Sequence, residues 1–188
     1  MNTALYSLIS TLVLVFLAEI GDKTMVSTAI FAAHTRRFLA VYVVSVLAFT
    51  FSSVIAVIAG SALRSLVNLS VLEIVASVLF IAAGLWIVLA KSEQGCERVK
   101  WSLAACFLAI LLSELGDKTQ LVVFSSTVLH GYPGLILLGG VVGYALANAV
   151  GISLVKAVST KLEWKRVKLC AGLIMVAIGT WLLASSLA

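Results

Sequence analysis

Leu17-Ala18-Glu19-Ile20-Gly21-Asp22-Lys23-Thr24 and Leu112-Ser113-Glu114-Leu115-Gly116-Asp117-Lys118-Thr119 carry one pattern, Glu-x-Gly-Asp-Lys-Thr, twice. Each copy lies inside a long apolar run, from Ser7 to Ala33 and from Ser102 to Leu129, with its glutamate near the middle. A central Asp, Lys or Arg costs about 2.5–3.5 kcal/mol on insertion scales, so such residues are rare in membrane spans. Two copies put four carboxylates and two ammonium groups there. An intramembrane charge marks a functional site by default, and a repeated one does so more strongly. The competing reading is structural: ion pairs that lock two helices together.

Outward from the motifs, the composition sets the class. Of the 188 residues, 62% are hydrophobic and 11% charged, whereas a soluble domain is roughly half apolar and a quarter charged. An integral membrane protein is expected, with no soluble domain beside it. The net charge of +5 is therefore an orientation signal rather than a nucleic-acid footprint. Cys96, Cys106 and Cys170 are widely spaced, with no paired spacing and no adjacent histidine, so neither zinc nor redox chemistry is indicated. Met1 to Ser7 carry no Lys or Arg, so the first run reads as a true span rather than a leader.

Six apolar segments follow, at 4–33, 38–62, 71–90, 102–129, 134–158 and 168–187. A span takes about 20 residues to cross about 30 Å of hydrocarbon. Backbone polar groups in lipid must bond within their own segment, so helices are expected. Arg36, Arg37, Lys91, Arg98, Lys100, Lys156, Lys161, Lys165, Arg166 and Lys168 fall on one side of the six segments, and Arg64 alone on the other. The positive-inside rule puts the first set in the cytoplasm and both termini outside.

The chain also repeats itself. Glu19 and Glu114 are 95 residues apart, and the same offset pairs Leu17 with Leu112, Ala76 with Ala171, Ala82 with Ala177, Gly84 with Gly179 and Trp86 with Trp181. Two halves of three spans each must insert with opposite orientation, the inverted-repeat architecture of secondary transporters. The expected fold is thus an all-α membrane protein of six transmembrane helices in two inverted three-helix repeats. The first repeat covers 1–90, a cytoplasmic linker 91–101 and the second repeat 102–188. The second helix of each half carries a small-residue row, Ala48, Ser52, Ala56 and Gly60 in one, with Gly143, Ala147, Gly151 and Val155 at the same offset in the other and Gly139 extending it. Such rows let helices approach closely, for static packing or for sliding.

On a continuous helix, Glu19 with Asp22 and Glu114 with Asp117 would share one face. Gly21 and Gly116 weaken a helix, and a break there would free backbone carbonyls as further oxygen ligands. Thr24 and Thr119 can serve as ligands or mend the loosened backbone. Gln120, with Met25 as its counterpart, makes the halves unequal. Ser53 and Asn148, paired by the offset, are secondary oxygen donors or interhelical hydrogen bonders. Oxygen-only donors suit hard divalent ions such as Ca²⁺, Mg²⁺ and Mn²⁺. Four carboxylates and two lysines leave two negative charges, which one divalent ion balances. Without it, protons would take the same oxygens, so the cluster has the makings of a cation–proton antiporter, and two protons per metal would follow if both lysines stay charged. Lys23 and Lys118 can pair with carboxylates of the opposite half, or attract an anionic substrate.

These motifs resemble those of the Golgi and bacterial Mn²⁺/Ca²⁺–proton antiporters, the second calcium–cation antiporter family, and most of all its short bacterial manganese exporters of the MneA type. The resemblance spans essentially the whole chain. It implies that Glu19, Asp22, Glu114 and Asp117 bind the transported cation, and that Gly21, Lys23, Thr24, Gly116, Lys118 and Thr119 complete the motifs. It also implies a bacterial inner-membrane protein that is not an enzyme and holds no cofactor. The expected activity is export of Mn²⁺ for protons, with Ca²⁺–proton exchange or a divalent-cation channel as alternatives. Expected partners are the cation and the bilayer, not nucleic acid, and a homodimer is compatible with the sequence. Glu73, His34 and His130 are lesser candidates near span ends, and Trp86 and Trp181 read as interface anchors.

Overall fold

The computed structural model describes residues 3–89, 103–157 and 164–187. Within them every regular element is a helix: α1 (Thr3–Glu19), α2 (Lys23–Thr35), α3 (Phe38–Leu66), α4 (Leu69–Leu89), α5 (Leu103–Glu114), α6 (Lys118–His130), α7 (Pro133–Ala157) and α8 (Trp164–Leu187). The linker at 91–101, with Cys96, lies outside the described residues, as do the side chains of Lys23, His34 and Cys170. Helices α3 and α7 are long and apolar enough to cross a bilayer on their own.

The two motif segments are each broken in two. Gly21 and Gly116 take φ of +75° and +78°, a left-handed conformation that costs other L-residues about 1–2 kcal/mol. The chain then straightens at Asp22 (φ −77°, ψ 162°) and Asp117 (φ −79°, ψ 171°), the residues that open α2 and α6. The turns are closed by the amides of Asp22 and Asp117, which donate to the carbonyls of Glu19 and Glu114 at 3.0 and 3.2 Å. Each glutamate therefore ends one helix while its aspartate starts the next. The expectation that they share a helix face is corrected: the glycine turn separates them, and the pair straddles a gap between two helix ends.

The 95-residue offset reappears in the boundaries. Lys23 and Lys118 start α2 and α6, Phe38 and Pro133 start α3 and α7, and Leu69 and Trp164 start α4 and α8. It reappears in the packing too. The pair α1–α7 matches α5–α3, α2–α7 matches α6–α3, and α3–α7 and α4–α8 map onto themselves. At the centre Phe49 and its counterpart Tyr144 stack, ring centroids 4.1 Å apart. They belong to a core drawn from both halves, with Leu14, Val15, Ala18, Phe80, Val122 and Val123.

Close approach explains the small-residue rows. A Cβ on Gly139 or Gly143 would come within 2.5 Å of the carbonyl oxygens of Leu8 or Leu12 in α1, and one on Gly60 within 3.0 Å of the Phe124 carbonyl in α6. Outward, the apolar pattern does not fade: Phe51, Ile55 and Ile58 are 65%, 53% and 64% exposed. A surface of this kind is stable only against an apolar surrounding. Trp86 and Trp181 are likewise exposed, as membrane anchors would be.

Symmetry fails in one respect. Helix α6 also packs on α1 and α4, but α2 makes no comparable packing on α5 or α8 among the described residues. The far end of α6 is tied down. Arg64 donates to the carbonyl of Leu129 at 2.7 Å and to that of Val128, covering the exposed carbonyls of a helix C-terminus. His130 meets Tyr6 edge to face at 5.5 Å, and Thr3 and Tyr132 share a hydroxyl–hydroxyl hydrogen bond of 3.1 Å.

Candidate cation site

The two broken segments meet through their charges. The Lys118 ammonium lies 2.6 Å from a carboxylate oxygen of Asp22 and 3.3 Å from one of Asp117. One cation thus joins aspartates of both motifs, and all three side chains are buried. An aspartate at a helix start ordinarily accepts from backbone amides of the first turn. Neither Asp22 nor Asp117 makes that capping bond.

Glu19 and Glu114 are fully buried. Glu19 lies within electrostatic reach of Glu114, Lys118, Asp22 and Asp117, so the four carboxylates form one cluster. Both carboxylate oxygens of Glu19 lack a hydrogen-bond partner among the described residues. Glu114 accepts from the Thr119 hydroxyl at 3.1 Å through one oxygen, and its other oxygen has no partner there. Burying such groups unpaired is costly, and the natural relief is a cation or a proton. The cluster is not a closed cage: no three acidic, His or Cys side chains among the described residues converge to hold a metal. Lys118 sits on the two aspartates, and the glutamates lie within electrostatic reach of it rather than around one point with them.

The secondary candidates divide. The Gln120 amide donates to Ser52 at 2.8 Å and to Ser53 at 3.4 Å, tying α6 to α3. Its carbonyl oxygen is buried without a partner among the described residues. Asn148 donates to the Tyr144 carbonyl at 3.2 Å, and its own amide oxygen has no partner among them either. Ser53 is engaged by Gln120, whereas Asn148 and Gln120 each keep one oxygen available. On the other side of the pseudo-symmetry, Met25 fills the Gln120 position and packs against Gly151. His130 belongs to the tied end of α6 rather than to the cluster.

Tyr144 was not signalled by either motif. Its hydroxyl is fully buried, beside the side chains of Asn148 and Ser45 and near enough to Glu114 and Glu19 to feel their charge. The offset could have found it, because Tyr144 is the polar member of an otherwise apolar pair with Phe49.

Comparison with known proteins gives the family. The family model described as "Divalent cation/proton antiporter GDT1" matches residues 7–95 and 102–188. The chain belongs to the GDT1 family of divalent cation/proton antiporters. The two matched GDT1 segments begin 95 residues apart, the offset of the motifs themselves. A protein of Vibrio cholerae serotype O1 named "Putative manganese exporter" is 27% identical over 173 residues, covering 88% of this chain and 86% of that one. No solved structure matches the chain. Membership makes this a membrane transporter of divalent cations, in a family of antiporters.

Proposed function

We propose that this GDT1-family protein exports Mn²⁺ from the bacterial cytoplasm across the inner membrane in exchange for protons. Glu19, Asp22, Glu114 and Asp117 are the ligand-bearing residues, with Thr24, Thr119 and the carbonyl oxygens of Gln120 and Asn148 as neutral oxygen donors. The observation that carries the reading is the meeting of Asp22 with Asp117 and Lys118 at one buried point, beside a glutamate whose two oxygens have no partner among the described residues. The donors are all oxygen, which suits Mn²⁺ and Ca²⁺ alike. The manganese assignment draws on the name of the Vibrio cholerae relative.

In this reading α1 with α2, and α5 with α6, are two discontinuous spans, so the chain has six spans in two inverted repeats, 1–90 and 102–188. Both termini lie outside. Helix α2 runs toward the cytoplasm and α6 toward the exterior, which follows from the Lys and Arg distribution. The tied end of α6 then seals the external side, while α2, less enclosed, leaves the cluster approachable from the cytoplasm. Cargo enters from that side, and protons replace it once access has switched. Rocking of one repeat against the other supplies the switch.

The test is reconstitution of the purified protein in liposomes with Mn²⁺ on one side and an internal pH dye. Mn²⁺-dependent proton movement is expected, absent in a Glu19→Gln, Glu114→Gln double variant that still inserts. Undiminished exchange by that variant, or Mn²⁺ flux without proton movement, would refute the proposal.

A further inference from the structure

We infer that Lys118 is a tethered cation that competes with the cargo: its ammonium holds the position between Asp22 and Asp117, and the transported ion enters by displacing it. This rests on the antiport reading above and adds a residue that governs affinity and release.

The geometry is specific. One nitrogen contacts carboxylates from both motifs, at 2.6 Å and 3.3 Å. A divalent ion bound to the same two oxygens would sit at roughly 2.0–2.6 Å from them, within the space the ammonium fills. The two cations cannot share that space. The aspartates are committed to this role, since both stand where a helix cap would and neither caps. The rest of the cluster is left for the newcomer. Glu19 has both oxygens unpartnered among the described residues and Glu114 has one, so an arriving ion finds open carboxylate oxygens in the neighbourhood of Lys118. Those contacts offset the loss of the ion pair as Lys118 withdraws. In reverse, the backbone holds Lys118 next to Asp117 in the chain, so its ammonium stays in the vicinity and can retake the aspartates. Lysine suits this task better than arginine. A compact ammonium on a flexible stem makes single contacts, whereas a guanidinium would grip a carboxylate bidentately and resist displacement.

A purely structural ion pair, stapling the halves, predicts something different. Losing a staple disorders the site, weakens cargo binding and is repaired by any cation. Displacement predicts opposite effects for Lys118→Gln and Lys118→Arg. Mn²⁺ binding to the purified full-length protein, by titration calorimetry with MnCl₂, reads the first part. K118Q is expected to bind at least about tenfold tighter than wild type, and K118R at least about tenfold weaker. Exchange in proteoliposomes reads the second. K118Q should show KM and kcat falling together, because cargo that binds tightly is released slowly. K118Q binding no tighter than wild type overturns the inference. Should K118Q fail to insert, K118R decides it, and binding as tight as wild type by that variant overturns it equally. Wild-type protein that binds Mn²⁺ and exchanges it for protons upholds the antiport reading whatever the variants do. Wild type that binds neither Mn²⁺ nor Ca²⁺ overturns both.

Discussion

Gly116 offers the cleanest test of whether the helix break positions the charges. Its φ is +78°, and a Cβ built there meets nothing within 4 Å, so Gly116→Ala introduces no clash. The whole effect is conformational. The left-handed region costs an L-residue about 1–2 kcal/mol, and the reduced freedom of the unfolded chain returns about 0.4–1 kcal/mol. The net loss for the broken geometry is about 1 kcal/mol, or about fivefold in population. Alanine also favours helix over glycine by about 1 kcal/mol, so the variant escapes by running α5 into α6. A continuous helix would carry Asp117 and Lys118 round the axis and away from Asp22. Mn²⁺ exchange should therefore fall about fivefold or more, beyond any change in thermal stability in detergent. Gly116→Asn should keep most of the activity, because asparagine tolerates this region. Wild-type exchange by G116A would show that the positive φ does not hold the site. Equal impairment of G116N and G116A would show that something other than backbone conformation is at stake.

Two further outcomes follow from the same structure. Gly143→Ala puts a methyl within 2.5 Å of the Leu12 carbonyl and should cost about 1–3 kcal/mol as α7 is forced off α1. Gly134→Ala meets nothing and should be neutral or slightly stabilising. Detergent melts decide the matter, and a G143A melt no lower than that of G134A would refute the close packing. The pH dependence has a definite sign. Carboxylates bind metal only when deprotonated, so Mn²⁺ affinity should fall with pH. If two protons are exchanged per ion, affinity changes about a hundredfold per pH unit, a factor of ten for each proton. Calorimetry across a pH series checks it, and a flat profile would refute competition for shared oxygens.

Much of this arrangement was legible in the sequence because its signals are local or repeated. A glycine between two carboxylates in an apolar run marks a break, and both breaks occur at the motif. The offset of the motifs is also the offset of the helix starts. What failed was the helix-face argument. Spacing of three implies a shared face only on an unbroken helix, and the turn at Gly21 removes that condition for Glu19 and Asp22. The pairing of a motif lysine with a carboxylate of the opposite half was legible, and Lys118 with Asp22 is such a pair. The choice of that partner, and the bonds of Gln120 to Ser52 and Ser53, depend on how α6 is placed against α2 and α3. Tyr144 was hidden for another reason: its importance lies in stacking on Phe49 beside the cluster, and nothing in its neighbouring sequence signals that.

The unequal packing of two like halves bears on how such a protein can work. Helices α2 and α6 begin and end at corresponding positions, follow the same glycine turn and meet the same partners in α7 and α3. Local sequence alone would place them alike. Yet α6 is enclosed by α1 and α4 while α2 lacks the matching contacts among the described residues. In the antiport mechanism proposed above, exchanging the roles of the two halves would give the second arrangement that alternating access requires. The residues that break the repeat then set the gap between the two. Arg64 ties the end of α6 to α3, Gln120 bonds Ser52 where Met25 packs on Gly151, and Tyr144 stands opposite Phe49. The first two bond α6 to α3 in its enclosed position. Each is outside the two motifs, so the balance between arrangements can shift without altering the carboxylates that receive the ion.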